Sequence, residues 1–472
     1  MAAWGGAGFC PQRAEATDEP LSLSDEETSS RVLPLSEFVA LSVKKDSEFE
    51  RILIDELALE YEKDLGLPVK DWVLEIKSQY DFILDQDREE QEQTVGLSKL
   101  FPFTGTTVEA GYSRGASLSS DSHASDFTLE VSQPIAQNAF GHATRLKDKI
   151  LGLSVDVARH QIVEAYEDYL ASIISGYYDW YEAYAKLQIG KSSYQQNLKL
   201  LDNIHERRKN NIALPIDVNK VHLQVLAKKE RLLELQEAYA KALSFVKKAV
   251  RYDSAAVLMP QAEALYRDMT ISFQEDFPRV RETSRTFRLL RLLEERSQLQ
   301  VDREADDLLP SLDLFLGYQV KGDDYAIKEE DNMLYTGLSL EWPLGHQVDK
   351  AEYETARIAL RKTQLEQEGT HFQLYKRIKD LAVQLDTEKK LLDIAEEKIA
   401  LARSILEAEK ENYSFGKVSL NDYIDAVNVF DSNRFNEITH DVLYKKYLIE
   451  WLRITDQLIK ARDIDRNAIR KE

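Results

Sequence analysis

The sequence predicts a mixed, mainly α fold assembled from two copies of one unit, and three observations predict it. Polar and apolar residues alternate along Phe127–Ile135 and again along Met333–Leu344, and each run is closed by Pro and Gly, the glycines being Gly141 and Gly345. A long helical interval then leads to a break, Asn210-Asn211-Ile212-Ala213-Leu214-Pro215-Ile216-Asp217 in one copy and Tyr413-Ser414-Phe415-Gly416-Lys417-Val418-Ser419-Leu420-Asn421-Asp422 in the other. The spacing matches: 76 residues separate Gly141 from Asp217, and 77 separate Gly345 from Asp422. Agreement to one residue argues for duplication. A helix filling most of that interval is about 90 to 100 Å long at 1.5 Å per residue, which no compact globular domain needs.

Residues 1–30 read as a leader, Ser/Asp/Glu-rich and without periodicity from 17 onward. Met1–Ala16 lacks a basic n-region and a long apolar stretch, yet Ala14-Glu15-Ala16 has the small-x-small form of a signal-peptidase site. Two readings stand, the remnant of an export signal and an ordinary terminus. Residues 31–98 hold the N-terminal helices, with order expected from Leu33 and Ser36 capping a helix that carries Phe38, Val39 and Leu41. That helical stretch continues through Asp46–Asp64 to a break at Gly66-Leu67-Pro68. Trp72, Leu74 and Ile76 alternate with Val73, Glu75 and Lys77, which suggests an extra strand and leaves the strand number open.

The first repeat, 99–255, begins at a turn, Phe101-Pro102-Phe103-Thr104-Gly105. Val108, Ala110 and Tyr112 then share one face of a strand, and Phe127, Leu129 and Val131 share one face of its partner. Residues 256–308 link the halves. The second repeat, 309–461, alternates more cleanly, with Leu312, Leu314, Leu316, Tyr318 and Val320 on one face and Leu334, Leu338, Leu340 and Trp342 on the face of the next strand. A tail, 462–472, follows. Isolated hairpins are marginal in water, so these need strand neighbours.

The long helices read as coiled coil. Ile378, Leu381, Leu385, Leu392, Ala395, Ile399, Ala402 and Leu406 follow a 3,4 spacing broken only at Glu388. Return helices are expected over Asp217–Tyr252 and Asn421–Asp456. The aromatic cluster Tyr177-Tyr178-Asp179-Trp180-Tyr181 is better explained as helix packing than as a ligand platform.

A net charge of −22 argues against nucleic acid as a partner. The single cysteine, Cys10, supports neither a disulfide framework nor a thiolate metal site, and Gly8-Phe9 before it form a poor lipobox. No run approaches the roughly 20 apolar residues of a membrane helix. A β-barrel stays open, because its strands need only about ten alternating residues each. None of the eight histidines lies three or four residues from another, and there is no Gly-rich phosphate loop or nucleophile elbow. No enzymatic constellation and no cofactor site are expected.

In two copies over roughly residues 33–460, the strand pair, the Pro and Gly, the long helix, the break and the return helix resemble the TolC-type outer-membrane efflux channels. The second break has the form Tyr-x-x-Gly-x-x-Ser-x-x-Asp. The resemblance implies a homotrimer in the outer-membrane lipid, in which three chains share one membrane β-barrel and one α-barrel reaching through the periplasm. It also implies a periplasmic adaptor (membrane fusion) protein and an inner-membrane pump of RND or ABC type as partners. The function implied is a passive exit duct. Two alternatives are the exit duct of a type I protein secretion system and a soluble periplasmic coiled-coil scaffold. The scaffold gives no reason to keep one side of Leu312–Val320 apolar.

Under this resemblance the breaks are periplasmic tips that meet the adaptor. Gly416, with Asn211 as its counterpart, suits the left-handed end of a helix. Ser419 and Asp422 suit the start of the return helix. Asp422 and Asp425, three residues apart, share a helix face, and the resemblance makes them the acids of the pore constriction, where three chains would place six carboxylates. Asp217 matches Asp422, but Lys220 stands where the second copy has Asp425. Tyr413 is the expected gating residue; Val418 replaces a basic partner, and Lys417 beside it is the candidate substitute. Glu130 and Glu341 fall on the polar strand faces, toward the barrel lumen, while Tyr112, Phe127, Tyr318 and Trp342 are candidates for the membrane interface.

Overall fold

The computed structural model describes residues 30–68, 70–83, 88–117, 122–252, 257–261, 271–323 and 332–459. The leader, with Cys10 and Ala14-Glu15-Ala16, and the 462–472 tail lie outside the described residues. The chain opens with β1 (Ser30–Leu33), α1 (Leu35–Lys45) and α2 (Ser47–Gly66), then runs through β2 (Val73–Ile83), β3 (Arg88–Phe101), β4 (Thr106–Ser117) and β5 (Ser122–Pro134). Helix α3 (His142–Lys209) leads to the first tip, and α4 (Pro215–Ala249) returns from it. β6 (Val257–Pro260), α5 (Phe273–Thr283) and α6 (Arg285–Asp307) link the halves. The second half repeats the plan with β7 (Ser311–Asp323), β8 (Asn332–Glu341), α7 (Gln347–Ser414) and α8 (Leu420–Ile454).

The two long helices have 68 residues each, about 100 Å at 1.5 Å per residue, and both return helices have 35. The strand closures also match, since Gly141 and Gly345 both take positive φ, 76° and 115°. At Gly141 a side chain is excluded a second way: a Cβ there would lie 2.6 Å from the carbonyl oxygen of Phe103, in the turn between β3 and β4. The start of α3 therefore presses backbone to backbone against the base of the sheet.

Six strands form one sheet in the order β2-β3-β4-β5-β7-β8, antiparallel throughout. Its register keeps the period-two pattern in phase across every strand. Ile76 lies opposite Val95, Val95 opposite Tyr112, Tyr112 opposite Phe127, and Phe127 opposite Val320. Leu129 faces Tyr318, which faces Leu334. In these rows one face is largely apolar from edge to edge, turning polar one row further on at Ser78, Gln93, Arg114 and Ser125, and the other face carries Glu109, Glu130, Gln319 and Glu341. The strand pair expected in each half is present, and β2 confirms the alternation after Trp72. β3, rich in Glu and Gln, carries too little apolar signal in its first half to stand out in the sequence.

The main core lies midway along α3 and at the C-terminal end of α8, where Leu35 and Phe38 of α1 meet Tyr177, Tyr178 and Trp180 of α3 and Ile449 and Leu452 of α8. The aromatic cluster is therefore packing. Tyr177 is buried, its ring 5.4 Å from that of Phe38, and its hydroxyl donates to the Leu33 carbonyl at 2.7 Å. A second cluster gathers Ile378, Leu381 and Leu385 of α7 with Trp451 of α8 and Val280 of α5. The heptad interruption has its own partner, because Glu388 meets His440 Nδ1 of α8 at 2.8 Å.

Two N-terminal expectations are corrected. Order reaches back to Ser30, since β1 pairs in parallel with β6, a contact between segments too far apart in sequence to read from either one. Ser36 does not cap α1. The helix begins at Leu35 with Pro34 at the N-cap, because Leu35 is fully buried and anchors the first turn, leaving Ser36 exposed within it.

Candidate functional site

The two helical breaks come together. Leu200 and Ile204 of α3, Val218 and Val221 of α4 and Leu420 of α8 form a small core, with Tyr413, Tyr423 and Ile424 packed on it. The positive φ values that turn the chain are 58° at Asn211 and 71° at Gly416, so the two residues occupy equivalent positions. In the second tip Ser419 and Asp422 form a reciprocal cap. The Asp422 carboxylate accepts from Ser419 N at 3.0 Å and from its hydroxyl at 2.7 Å, and Ser419 Oγ accepts from Asp422 N at 3.3 Å. These bonds hold the Asp422 carboxyl below the usual carboxylate range. In the first tip Asp217 accepts from Leu214 N at 3.0 Å, but Leu214 has no side-chain oxygen to complete the pair.

Asp422 and Asp425 are both exposed on the first turns of α8, and Asp425 makes no ion pair among the described residues. The first tip is electrically different. Lys220, the counterpart of Asp425, donates to Asn421 Oδ1 of the second tip at 3.3 Å.

Tyr413 stacks on Tyr423 with ring centroids 5.6 Å apart and planes 11° from parallel. Burial pushes both hydroxyls up from the ordinary tyrosine value. Lys417, the candidate partner, instead sits over the Phe415 ring at 5.4 Å. The cation on Tyr413 is Arg207, which comes from the other tip. Its guanidinium lies 4.6 Å from the ring centroid and donates to the carbonyls of Tyr413 at 3.5 Å and Ser414 at 3.3 Å. Sequence reasoning missed Arg207, although the cluster Arg207-Arg208-Lys209 closing α3 was a signal that a cation was within reach.

At the other end of the molecule the sheet exposes its apolar face. Leu316 is 51% exposed, Leu338 62% and Ile76 71%, and exposed apolar side chains gathered on one face mark a surface that contacts a membrane or a partner. On the polar face Glu130 accepts from the Tyr335 hydroxyl at 2.9 Å, the tyrosine crossing over Gly317 to reach it. Glu341 lies on the same face at the end of β8. Of the four interface candidates, Trp342 stands just past a strand end, whereas Tyr112, Phe127 and Tyr318 fall within their strands. Among the described residues no helix is long and apolar enough to cross a membrane.

Residues 278–447 match the family model for outer membrane efflux proteins. The match runs from α5 to α8, within the second half of the chain. No curated protein matches the sequence. The fold is similar to that of CusC, at a TM-score of 0.70 and 11% identity over 89% of this chain and 91% of that one. It is also similar to the CmeC outer membrane channel of Campylobacter jejuni (0.67, 14% identity, 92% and 88% covered) and to the open state of the MtrE outer membrane channel of Neisseria gonorrhoeae (0.69, 10% identity, 90% and 89%).

Proposed function

We propose that three copies of the chain form a passive exit duct through the outer membrane, fed from below by a periplasmic adaptor and an inner-membrane pump of RND or ABC type. The observation that carries this reading is the sheet: apolar and exposed on one face, polar on the other, and continuous with helices about 100 Å long. Lipid satisfies the first face, water the second, and the helices are long enough to line a tunnel below. Closure by several chains removes the strand edges that lipid cannot satisfy.

Selectivity and gating then belong to the tips. Three copies of Asp422 and Asp425 ring the periplasmic aperture with carboxylates, which attract cations and repel anions. Asp422 has a second duty in its cap with Ser419, so Asp425 is the freer charge. Arg207 on Tyr413 latches the first tip to the second within one chain, and releasing it lets the second tip swing. An exit duct for secreted polypeptides would use the same parts. Reconstitution of the detergent-extracted protein in planar bilayers tests the reading. The expected result is a cation-selective conductance; a protein that never enters the bilayer, or an anion-selective pore, refutes it.

A further inference from the structure

The sheet has two open ends, and both are unusually bare. Every residue of β2 from Val73 to Phe82 is exposed, on both faces, and so is β8 apart from partial cover at Tyr335 and Gly337. Neither ladder is interrupted by a bulge, and neither strand contains a proline. The charges of β2, Glu75, Lys77 and Asp81, all fall on the polar face, so neither a bulge, a proline nor a charge on the apolar face blunts these edges. In hydrocarbon an unpaired strand edge is not tolerated.

The edges fit each other. All five ladders are antiparallel, so in six strands β2 and β8 run in opposite directions. Rotating one copy about a barrel axis brings its β2 beside the β8 of its neighbour, and the new pair is again antiparallel. The lengths agree, 11 residues against 10. The faces agree too, because Leu74 and Ile76 on β2 belong to the same apolar face as Leu338 and Leu340 on β8.

A second observation puts β2 and β3 at the same membrane level as the rest. Trp72 stands immediately before β2 and Trp342 immediately after β8, at the same end of the sheet, 54% and 56% exposed. Two-residue alternation from Leu74 and from Leu340 puts both indoles on the apolar side. Lys99 of β3 lies 5.1 Å from the Trp72 ring, and exposed Phe101 and Phe103 continue the row. Aromatic side chains with a cation beside them, on a lipid-facing surface at the strand ends, mark a water–membrane boundary.

The geometry points to a barrel wall of six strands per chain, sealed by β2 of one copy on β8 of the next, the partner being a second copy of this chain. This inference rests on the three-chain duct proposed above, and with three chains the barrel has 18 strands. At a strand spacing near 4.8 Å and a tilt near 40° such a barrel is about 18 Å in radius, in the size class that leaves an aqueous channel. The β2–β3 hairpin is then part of the pore wall and sets its width.

Cysteine pairs decide where the seam lies. Gln79→Cys on β2 is combined in turn with Met333→Cys, Tyr335→Cys, Gly337→Cys, Ser339→Cys and Glu341→Cys, every polar-face position of β8. Ser113→Cys on β4 is combined with the same five. All these positions lie on the polar face. The full-length chain is oxidised in the outer-membrane fraction, with single-cysteine variants as controls. The inference predicts covalent dimers and trimers from at least one β2–β8 pair and none from β4–β8. In this barrel β4 lies three strand spacings, about 14 Å, from the neighbouring β8, beyond the reach of a disulfide. Cross-linking through β4 overturns the inference, because the seam would then bypass the β2–β3 hairpin. Failure of every pair in a particle of three chains also overturns it and leaves the duct standing. Failure in a soluble single chain overturns the duct itself.

Discussion

Removing the Arg207 guanidinium should loosen the tips. The contact has two components in the structure: a cation 4.6 Å from the Tyr413 ring centroid, and two donated hydrogen bonds to main-chain carbonyls at 3.3 and 3.5 Å. At a partly exposed site the first contributes about 1 kcal/mol. The bonds are long, so the pair together adds about another 1 kcal/mol. A loss of about 2 kcal/mol per chain shifts the balance between latched and released tips about 30-fold. Arg207→Ala should therefore shorten closed times in single-channel recordings by roughly that factor. Tyr413→Phe keeps both ring and carbonyl and should gate almost as the parent does. Arg208→Ala, at the neighbouring exposed side chain, serves as the control for lost charge. Unchanged closed times in Arg207→Ala, or an equal effect from Arg208→Ala, would refute the latch.

The other predictions concern charge, packing and pH. Asp425→Asn should weaken cation selectivity and divalent block while leaving the cap intact, and adding Asp422→Asn should weaken both further and disturb the start of α8; selectivity unmoved by the pair would remove these acids from the aperture. Ile378→Ala, at a fully buried position in the α7 seam, should cost about 2 to 5 kcal/mol, seen as a clear drop in melting temperature, and a change below 1 °C would contradict the packing described. Glu164 lines a cavity of about 570 Å³ with Asp168, Arg377 and Glu450, and burial pushes its carboxyl up against the pull of the Thr286 hydroxyl at 3.1 Å. A raised carboxyl contributes stability while protonated, fully present below its unfolded value and lost as pH rises through the folded one. Glu164→Gln should therefore flatten the fall in melting temperature as pH rises above the ordinary glutamate value; an unaltered slope would assign that fall to other groups.

Periodicity carried much of the fold. Val108 to Tyr112 and Leu312 to Val320 alternate between an apolar and a polar face, so their strands could be read one at a time. The 68-residue helices were legible from the matched spacing between glycine and aspartate. β3 was not, because its first half, Arg88 to Gln93, has polar residues on both faces, and only pairing with β2 and β4 reveals it. β1 was hidden for a different reason: its partner β6 lies more than 220 residues away. At the tips, Gly416, Ser419 and Asp422 announced themselves through local backbone chemistry. Arg207 did not, since its contact with Tyr413 joins two repeats and depends on how they pack. Lys417 is the nearer cation in sequence but points to Phe415, which is why adjacency misled.

Native mass decides whether three chains share one duct. The protein should be extracted from the outer-membrane fraction in mild detergent and weighed intact. A membrane-bound particle containing three chains is expected. A soluble particle of one or two chains would contradict it and return the long helices to a coiled-coil scaffold.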